Sequence, residues 1–136
     1  MNNNSEYAAL ILRIALGTMF LAHGLLKIMV FTLPGTASFF EQVGFPGWTA
    51  YIVTTAEIGG GLLLLAGIGV RAVSLALISV LAGALFVHVG SGWVFSNPNG
   101  GWEYPAFLIA ASVVQALLGP GKFALRLPQK TAAALA

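Results

Sequence analysis

Long apolar runs separated by glycine and proline dominate this chain. Four of these runs approach the roughly 20 residues that an α-helix needs to cross a hydrocarbon core about 30 Å thick. We place them at about 7–30, 48–68, 71–95 and 102–118. The intervening segments contain helix breakers, namely Pro34-Gly35, Pro46-Gly47, Asn97-Pro98-Asn99-Gly100-Gly101 and Gly119-Pro120-Gly121. The pattern therefore predicts four membrane-spanning helices.

A shorter segment lies between the first two runs. Residues 36–44 are too few to cross a bilayer, and they place Phe39 and Phe40 beside Glu41 and Gln42. Adjacent aromatic and polar side chains are typical of an amphipathic helix that lies in the membrane interface. We therefore expect a short interfacial helix between the first and second membrane helices.

The composition agrees with a membrane location. Hydrophobic residues make up 58% of the 136 positions and charged residues only 7%, whereas soluble domains carry charges at roughly a quarter of their positions. So few charges cannot cover a water-facing surface. We therefore expect an all-α integral membrane four-helix bundle, formed as a single domain by residues 1–136.

The distribution of basic residues predicts the orientation. Arg71, in the tight turn between the second and third helices, and Lys122, Arg126 and Lys130 of the tail (122–136) fall on one side, whereas Lys27 falls on the other. Basic residues favour the cytoplasmic side, so we expect a multi-pass membrane protein with both termini in the cytoplasm. The outer face then holds an aromatic belt of Trp48, Trp93 and Trp102.

Ionisable side chains inside the spans are the main candidates for function. A charged residue at a helix centre costs about 2.5 to 3.5 kcal/mol, so each of these side chains calls for a partner or a function. The first helix carries three of them within an arc of roughly 80°, and helix rise places five of the six in the outer half of the bilayer. We predict a ligand pocket lined by His23, Lys27, Glu57, His88 and Glu103, with Arg13 as a structural charge.

Each candidate also has a structural interpretation. Arg13 and Lys27 can extend to the headgroups on their own sides of the bilayer, and Glu103 suits the positive N-terminal end of its helix. The two histidines can hydrogen-bond to the backbone or to Glu57. Glu57, near the midplane, is either a buried counter-ion for the first helix or a titrating group in a site.

Several other chemistries are excluded or disfavoured. The absence of cysteine excludes disulfides, thiol catalysis and cysteine-ligated clusters. A net charge of +2 is too small and scattered for nucleic-acid binding. The chain lacks H-x-x-x-H and E-x-x-H motifs, so we predict no metal site. A haem between His23 and His88 would rest on two histidines alone, so we predict no intrinsic cofactor.

Motifs along the chain carry a family resemblance. In order they are Arg13-x-x-x-Gly17-x-x-Phe20-x-x-His23-Gly24-x-x-Lys27, Glu57-x-x-Gly60-Gly61, Gly101-Trp102-Glu103 and Gly119-Pro120-Gly121-Lys122. From about residue 13 to residue 125 the chain resembles the DoxX family of small bacterial four-helix membrane proteins, and this resemblance implies a location in the bacterial inner (plasma) membrane. The resemblance implies a link to redox chemistry, because founding members are associated with thiosulfate:quinone oxidoreduction. Other members are described as membrane partners in redox or detoxification assemblies.

These observations lead to a main hypothesis and two alternatives. The main hypothesis is a membrane subunit of a redox system, with a quinone or similar small lipophile as substrate and a soluble or membrane redox partner supplying electrons. A histidine and a carboxylate would relay protons. The alternatives are a small-molecule transporter or permeability factor, and a non-catalytic membrane assembly protein whose buried charges specify helix pairing. The sequence is compatible with a homo-oligomer, and it leaves open whether the chain itself is an enzyme.

Overall fold

The computed structural model describes residues 2–125. Within this range it contains five α-helices, a short 3-10 turn at Val89–Ser91 and no strand. The α-helices are α1 (Asn3–Met29), α2 (Leu33–Gln42), α3 (Thr49–Ala66), α4 (Val70–His88) and α5 (Glu103–Leu118). The prediction of an all-α protein is confirmed. Arg126 and Lys130, used above to predict orientation, lie outside the described residues.

Three of these helices are suited to a bilayer. α1, α3 and α4 are long and apolar enough to cross a membrane, whereas α5 is apolar but has 16 residues. α1 and α4 each pack against both α3 and α5, so that the four helices form a closed ring of neighbours. α2 packs mainly on α3 and also touches α1. The core inside the ring is built largely from Leu16, Phe20, Leu64, Leu77 and Leu81.

The contact between α1 and α3 depends on glycine. A Cβ atom added to Gly61 would lie 2.7 Å from the backbone nitrogen of Leu21 and 2.8 Å from the carbonyl oxygen of Gly17. One turn further along α1, a Cβ on Gly24 would lie 3.3 Å from the Cβ of Glu57. Small residues let membrane helices approach closely where lipid gives no hydrophobic drive. The glycines therefore set how deeply Glu57 is held against α1.

The third membrane helix is shorter than the hydrophobic pattern predicts. The apolar run extends to Phe95, but α4 ends at His88. Gly92 then adopts φ +90°, a conformation that L side chains rarely take. Its carbonyl oxygen accepts a hydrogen bond from the backbone nitrogen of Trp102. Residues 92–102 therefore form a loop that folds back toward the start of α5, although part of that loop is apolar.

Arg13 is buried near the end of the helices that lies opposite the loop at residues 92–102. It is only 2% exposed, so it does not extend to the headgroups. Its Nη2 donates to the carbonyl oxygen of Lys122 over 3.3 Å, and its Nη1 lies against Gly67, which ends α3. A cation beside a helix C-terminus interacts favourably with the helix dipole. The Arg13 guanidinium therefore lies beside the C-terminal end of α3, and its Nε and Nη1 have no hydrogen-bond partner among residues 2–125.

Residues 119–125, called the closing segment below, tie the end of the described chain to its beginning. The backbone nitrogen of Lys122 donates to the carbonyl of Glu6, and that of Leu125 donates to the carbonyl of Ala66. The Lys122 ammonium lies 4.7 Å from the centre of the Tyr7 ring. The closing segment thus covers the ends of α1 and α3.

Candidate functional site

A cavity of about 630 Å³ lies among the helices, near the end of α1 that carries Lys27. All five α-helices contribute to its walls, which are mostly apolar. Ligand sites typically have volumes of about 300 to 1,000 Å³ and combine an apolar lining with a few polar groups. The polar groups here come chiefly from His23, Lys27, Glu57, His88 and Tyr104.

Lys27 and Glu57 form an ion pair in the cavity wall. The Lys27 ammonium lies 2.7 Å from Oε2 and 2.9 Å from Oε1 of Glu57, whose side chain is only 8% exposed. Two buried charges can offset their desolvation only when they are close and well hydrogen-bonded. Glu57 is therefore the ion-pair partner of Lys27 on α1, and it also lines the cavity.

His23 lies one turn before Lys27, and its backbone contact fixes one ring nitrogen. Nδ1 lies 2.8 Å from the carbonyl oxygen of Met19. A carbonyl oxygen can only accept, so this hydrogen bond requires the proton on Nδ1 and leaves Nε2 for another partner. His88 repeats the arrangement, with Nδ1 2.7 Å from the carbonyl oxygen of Ala84. Both histidines thus bond to the backbone while lining the cavity.

Tyr104 is a site residue that sequence reasoning missed. Its ring stacks on His23 with a centroid separation of 6.0 Å and an interplanar angle of 29°. Its hydroxyl is buried and has no hydrogen-bond partner among the described residues. A buried donor without a partner is costly, so this hydroxyl is available to a ligand or to water. The only sequence signal was its position directly after Glu103.

Glu103 is not among the described residues that line the cavity. Its carboxylate accepts a hydrogen bond of 2.8 Å from the backbone nitrogen of Phe95. Its own backbone nitrogen donates to the carbonyl of Trp93, and the Trp93 ring packs edge-on against Trp102 at 4.4 Å. Glu103 thus holds the loop between α4 and α5. That loop contributes Phe95, Gly100 and Gly101 to the cavity wall.

α2 and the residues that follow it cover the cavity with aromatic side chains. Phe39, Phe40 and Phe45 line it, and Phe45 packs edge-on against Phe86 of α4 at 5.9 Å. The hydroxyl of Thr36 donates to backbone carbonyls at 2.9 and 3.3 Å, the longer bond reaching Lys27 at the end of α1. The predicted amphipathic segment therefore forms a cover whose inner face is aromatic.

The described part of the chain does not supply a set of metal ligands. Residues 2–125 contain no group of three or more histidine, cysteine, aspartate or glutamate side chains that could hold a metal ion. The polar groups around the cavity are suited instead to hydrogen bonding and proton transfer.

Comparison with known proteins identifies the family. The DoxX family profile matches residues 8–90. The chain is also 32% identical over 125 residues to the Bacillus subtilis (strain 168) protein named "Putative oxidoreductase CatD", across 92% of this chain and 89% of that protein. The chain belongs to the DoxX family. The resemblance seen in the sequence motifs is thereby confirmed, and no solved structure matches the chain.

The DoxX match covers most of the cavity but not all of it. His23, Lys27, Glu57 and His88 lie inside residues 8–90, whereas Tyr104 lies beyond them. The alignment with the Bacillus subtilis protein is longer and includes most of this chain. This DoxX protein is therefore a helical membrane protein with a relative that is named as an oxidoreductase.

Proposed function

We propose that this DoxX protein is a membrane subunit of a redox system and that its cavity binds a quinone or a similar small lipophile with a polar head. One observation carries the proposal. A largely apolar cavity of about 630 Å³ brings the Lys27–Glu57 pair, two histidines and Tyr104 together in its walls. The name of the Bacillus subtilis relative supports a redox role.

The available donors suit a quinone head. Quinone carbonyl oxygens accept hydrogen bonds, and the Tyr104 hydroxyl is a buried donor with no partner among residues 2–125. Lys27 has three N–H groups, of which its contacts with the two oxygens of Glu57 occupy two. The stacked rings of His23 and Tyr104 supply a flat surface beside these donors. A quinone head bound there would accept hydrogen bonds at its carbonyl oxygens and would contact aromatic side chains.

Quinone reduction consumes protons as well as electrons, and the cavity provides groups for the protons. With Nδ1 bonded to Met19, His23 can accept or release a proton at Nε2. Glu57 is an ionisable group in the same wall. We propose that the electrons come from a redox partner protein or from the reductant itself.

We further propose that α1, α3, α4 and α5 form a four-helix membrane bundle with α2 in the outer interface. Arg71 and Lys122 lie at the end of the helices opposite the cavity, where the Nη1 of Arg71 donates to the last carbonyls of α5 at 2.8 and 2.9 Å. Lys27, at the other end, is neutralised by Glu57. The unbalanced positive charge then favours a cytoplasmic location for both termini.

Removing the Tyr104 hydroxyl should weaken quinone binding without unfolding the protein. For Tyr104→Phe in detergent, we expect roughly three- to ten-fold weaker binding of a decyl-tailed benzoquinone, the loss expected for one hydrogen bond. Binding can be followed by quenching of tryptophan fluorescence. Tyr51→Phe is the matched control, because Tyr51 is exposed and is not among the cavity residues.

Two outcomes would count against the proposal. Wild-type protein that does not bind the benzoquinone contradicts the quinone site directly. Equal affinity of Tyr104→Phe, Tyr51→Phe and wild type shows that the head does not reach this hydroxyl. Uptake of a solute by proteoliposomes, in a protein that binds no quinone, would instead support the transporter alternative.

Reporter fusions test the proposed orientation. An alkaline phosphatase fused after Phe95, in the loop between α4 and α5, should be active, because that loop faces the periplasm in this arrangement. The same enzyme fused after Gln129 should be inactive. High activity of the second fusion would show that the tail is periplasmic and that the orientation is reversed.

A further inference from the structure

A second hollow lies beside the cavity, between α3 and α4. This groove has a volume of about 430 Å³. Its floor includes the buried Gly60 and Leu77, and its rim includes the exposed Ile52, Leu63 and Ala76. A Cβ added to Gly60 would lie 2.9 Å from both δ carbons of Leu77, so the two helices touch along the floor. The groove is therefore closed toward the core and open to the outside, where a bilayer would be.

The groove and the cavity adjoin each other between α3 and α4. Val53, Ser79 and Val80 line both of them. The hydroxyl of Ser79 donates to the carbonyl of Ala76 in its own helix over 2.7 Å, so its hydrogen is already used. The other groove residues are apolar or glycine. The groove is thus an apolar hollow that shares part of its wall with the cavity.

We propose that the groove holds the hydrocarbon tail of the ligand and that the ligand reaches the cavity laterally from the bilayer between α3 and α4. This inference rests on the proposed function and specifies its substrate class as a tailed lipophile. The ionisable groups lie in the cavity, whereas the groove carries none. A polar head and an apolar tail match these two compartments in that order.

Two other parts of the cavity wall are occupied by protein contacts. The contact between α1 and α3 is closed by the close approach of Gly17 and Gly61. The aromatic cover formed by α2 closes one end of the cavity. From Val53 to Leu63 the groove follows α3 for about 15 Å, at the usual helical rise of 1.5 Å per residue. An alkyl tail of several carbons therefore has room to lie between α3 and α4 while its head remains in the cavity.

A bulky residue in the groove should discriminate between ligands with and without a tail. Ala76→Phe places a ring at the rim, and Ala76 is not a cavity residue. We expect at least about ten-fold weaker binding of the decyl-tailed benzoquinone, because its tail loses buried apolar area. The tail-less dimethoxy-methyl-benzoquinone should bind within about two-fold of wild type, since its head is untouched. Ala82→Phe is the matched control, being exposed on α4 and outside both hollows.

The possible results separate this inference from the proposed function. If the wild type binds neither compound, the proposed function fails and the inference fails with it. If it binds both compounds with equal affinity, or if Ala76→Phe leaves the decyl compound unaffected, the head site stands and the tail site is wrong. Equal weakening of both compounds by Ala76→Phe also overturns the tail site, because it shows a general disturbance of the cavity.

A crosslinking measurement on the wild type avoids substitutions altogether. A benzoquinone with a photoreactive diazirine at the end of its decyl tail should label peptides that contain residues 73–80 of α4 or 52–63 of α3. Competition by the unlabelled decyl compound should remove the label. Labelling confined to α2 or to the loop between α4 and α5 would place the tail elsewhere and contradict the lateral route.

Discussion

Gly61→Ala should cause a severe loss of stability. The added methyl group would lie 2.7 Å from the Leu21 nitrogen and 2.8 Å from the Gly17 oxygen, and both of these atoms belong to the backbone of α1. A backbone inside a helix cannot move one atom at a time, so α1 and α3 would have to separate. We expect a cost at or above the upper end of the about 1 to 3 kcal/mol that is typical of overpacking.

Gly59→Ala is the matched control for this experiment. A Cβ at Gly59 would meet nothing within 4 Å, and alanine in a helix is favoured over glycine by roughly 0.5 to 1 kcal/mol. The control should therefore melt at or slightly above the wild-type temperature in detergent, while Gly61→Ala melts far lower or elutes as aggregate. Similar melting of the two variants would show that α1 and α3 are not in backbone contact.

Breaking the Lys27–Glu57 pair should have the second large effect. Lys27→Met leaves a buried carboxylate without its cation, and Glu57→Gln leaves the ammonium without its anion. Removal of one partner from a buried pair typically costs about 3 to 5 kcal/mol. The double variant Lys27→Met, Glu57→Gln removes both charges, so it should recover much of that loss. Thermal melting of the three variants in the same detergent measures the coupling.

The same variants separate a structural role from a ligand role. If the stability losses of the two single variants simply add in the double variant, the two charges do not stabilise each other. If the double variant regains stability and still binds the benzoquinone like wild type, these charges only join α1 to α3. Recovered stability with lost binding is the expected result, because both residues line the cavity.

The helices were predictable because their signals are local. An apolar run of sufficient length, ended by proline or glycine, predicts a membrane helix without knowledge of its neighbours. The third run shows the limit of this reasoning. Val94 and Phe95 continue the apolar pattern, but the positive φ of Gly92 turns the chain away after α4 has ended. Hydrophobicity alone does not distinguish an apolar loop from the last turn of a helix.

The site was only partly predictable because its geometry depends on contacts between distant residues. Ionisable side chains stand out in an apolar run, so His23, Lys27 and Glu57 were readily selected. The distances within the site depend on the rotation of α1 against α3, which the Gly17–Gly61 contact determines. The sequence therefore left open whether His23 or Lys27 would pair with Glu57.

Tyr104 and Glu103 illustrate the same difficulty at the start of α5. The two residues are adjacent in the chain, yet Tyr104 lines the cavity and Glu103 bonds to the loop. Which of them points inward is decided by how α5 packs on α4 and α1. A tyrosine near a membrane boundary is also an ordinary interfacial anchor, so the residue type alone gave no reason to select Tyr104.

The closing segment is synthesised after the helices to which it bonds. α1 leaves the ribosome first, but the carbonyl oxygen that accepts from Arg13 belongs to Lys122. The carbonyl oxygens of Glu6 and Ala66 likewise accept from backbone nitrogens of the closing segment. During translation Arg13 is therefore a charge in an apolar helix without its final partner. A chain that stops before Lys122 would lack the carbonyl oxygen that accepts from Arg13 Nη2. The closing segment therefore gives the buried Arg13 guanidinium a hydrogen bond that residues 2–118 alone do not supply.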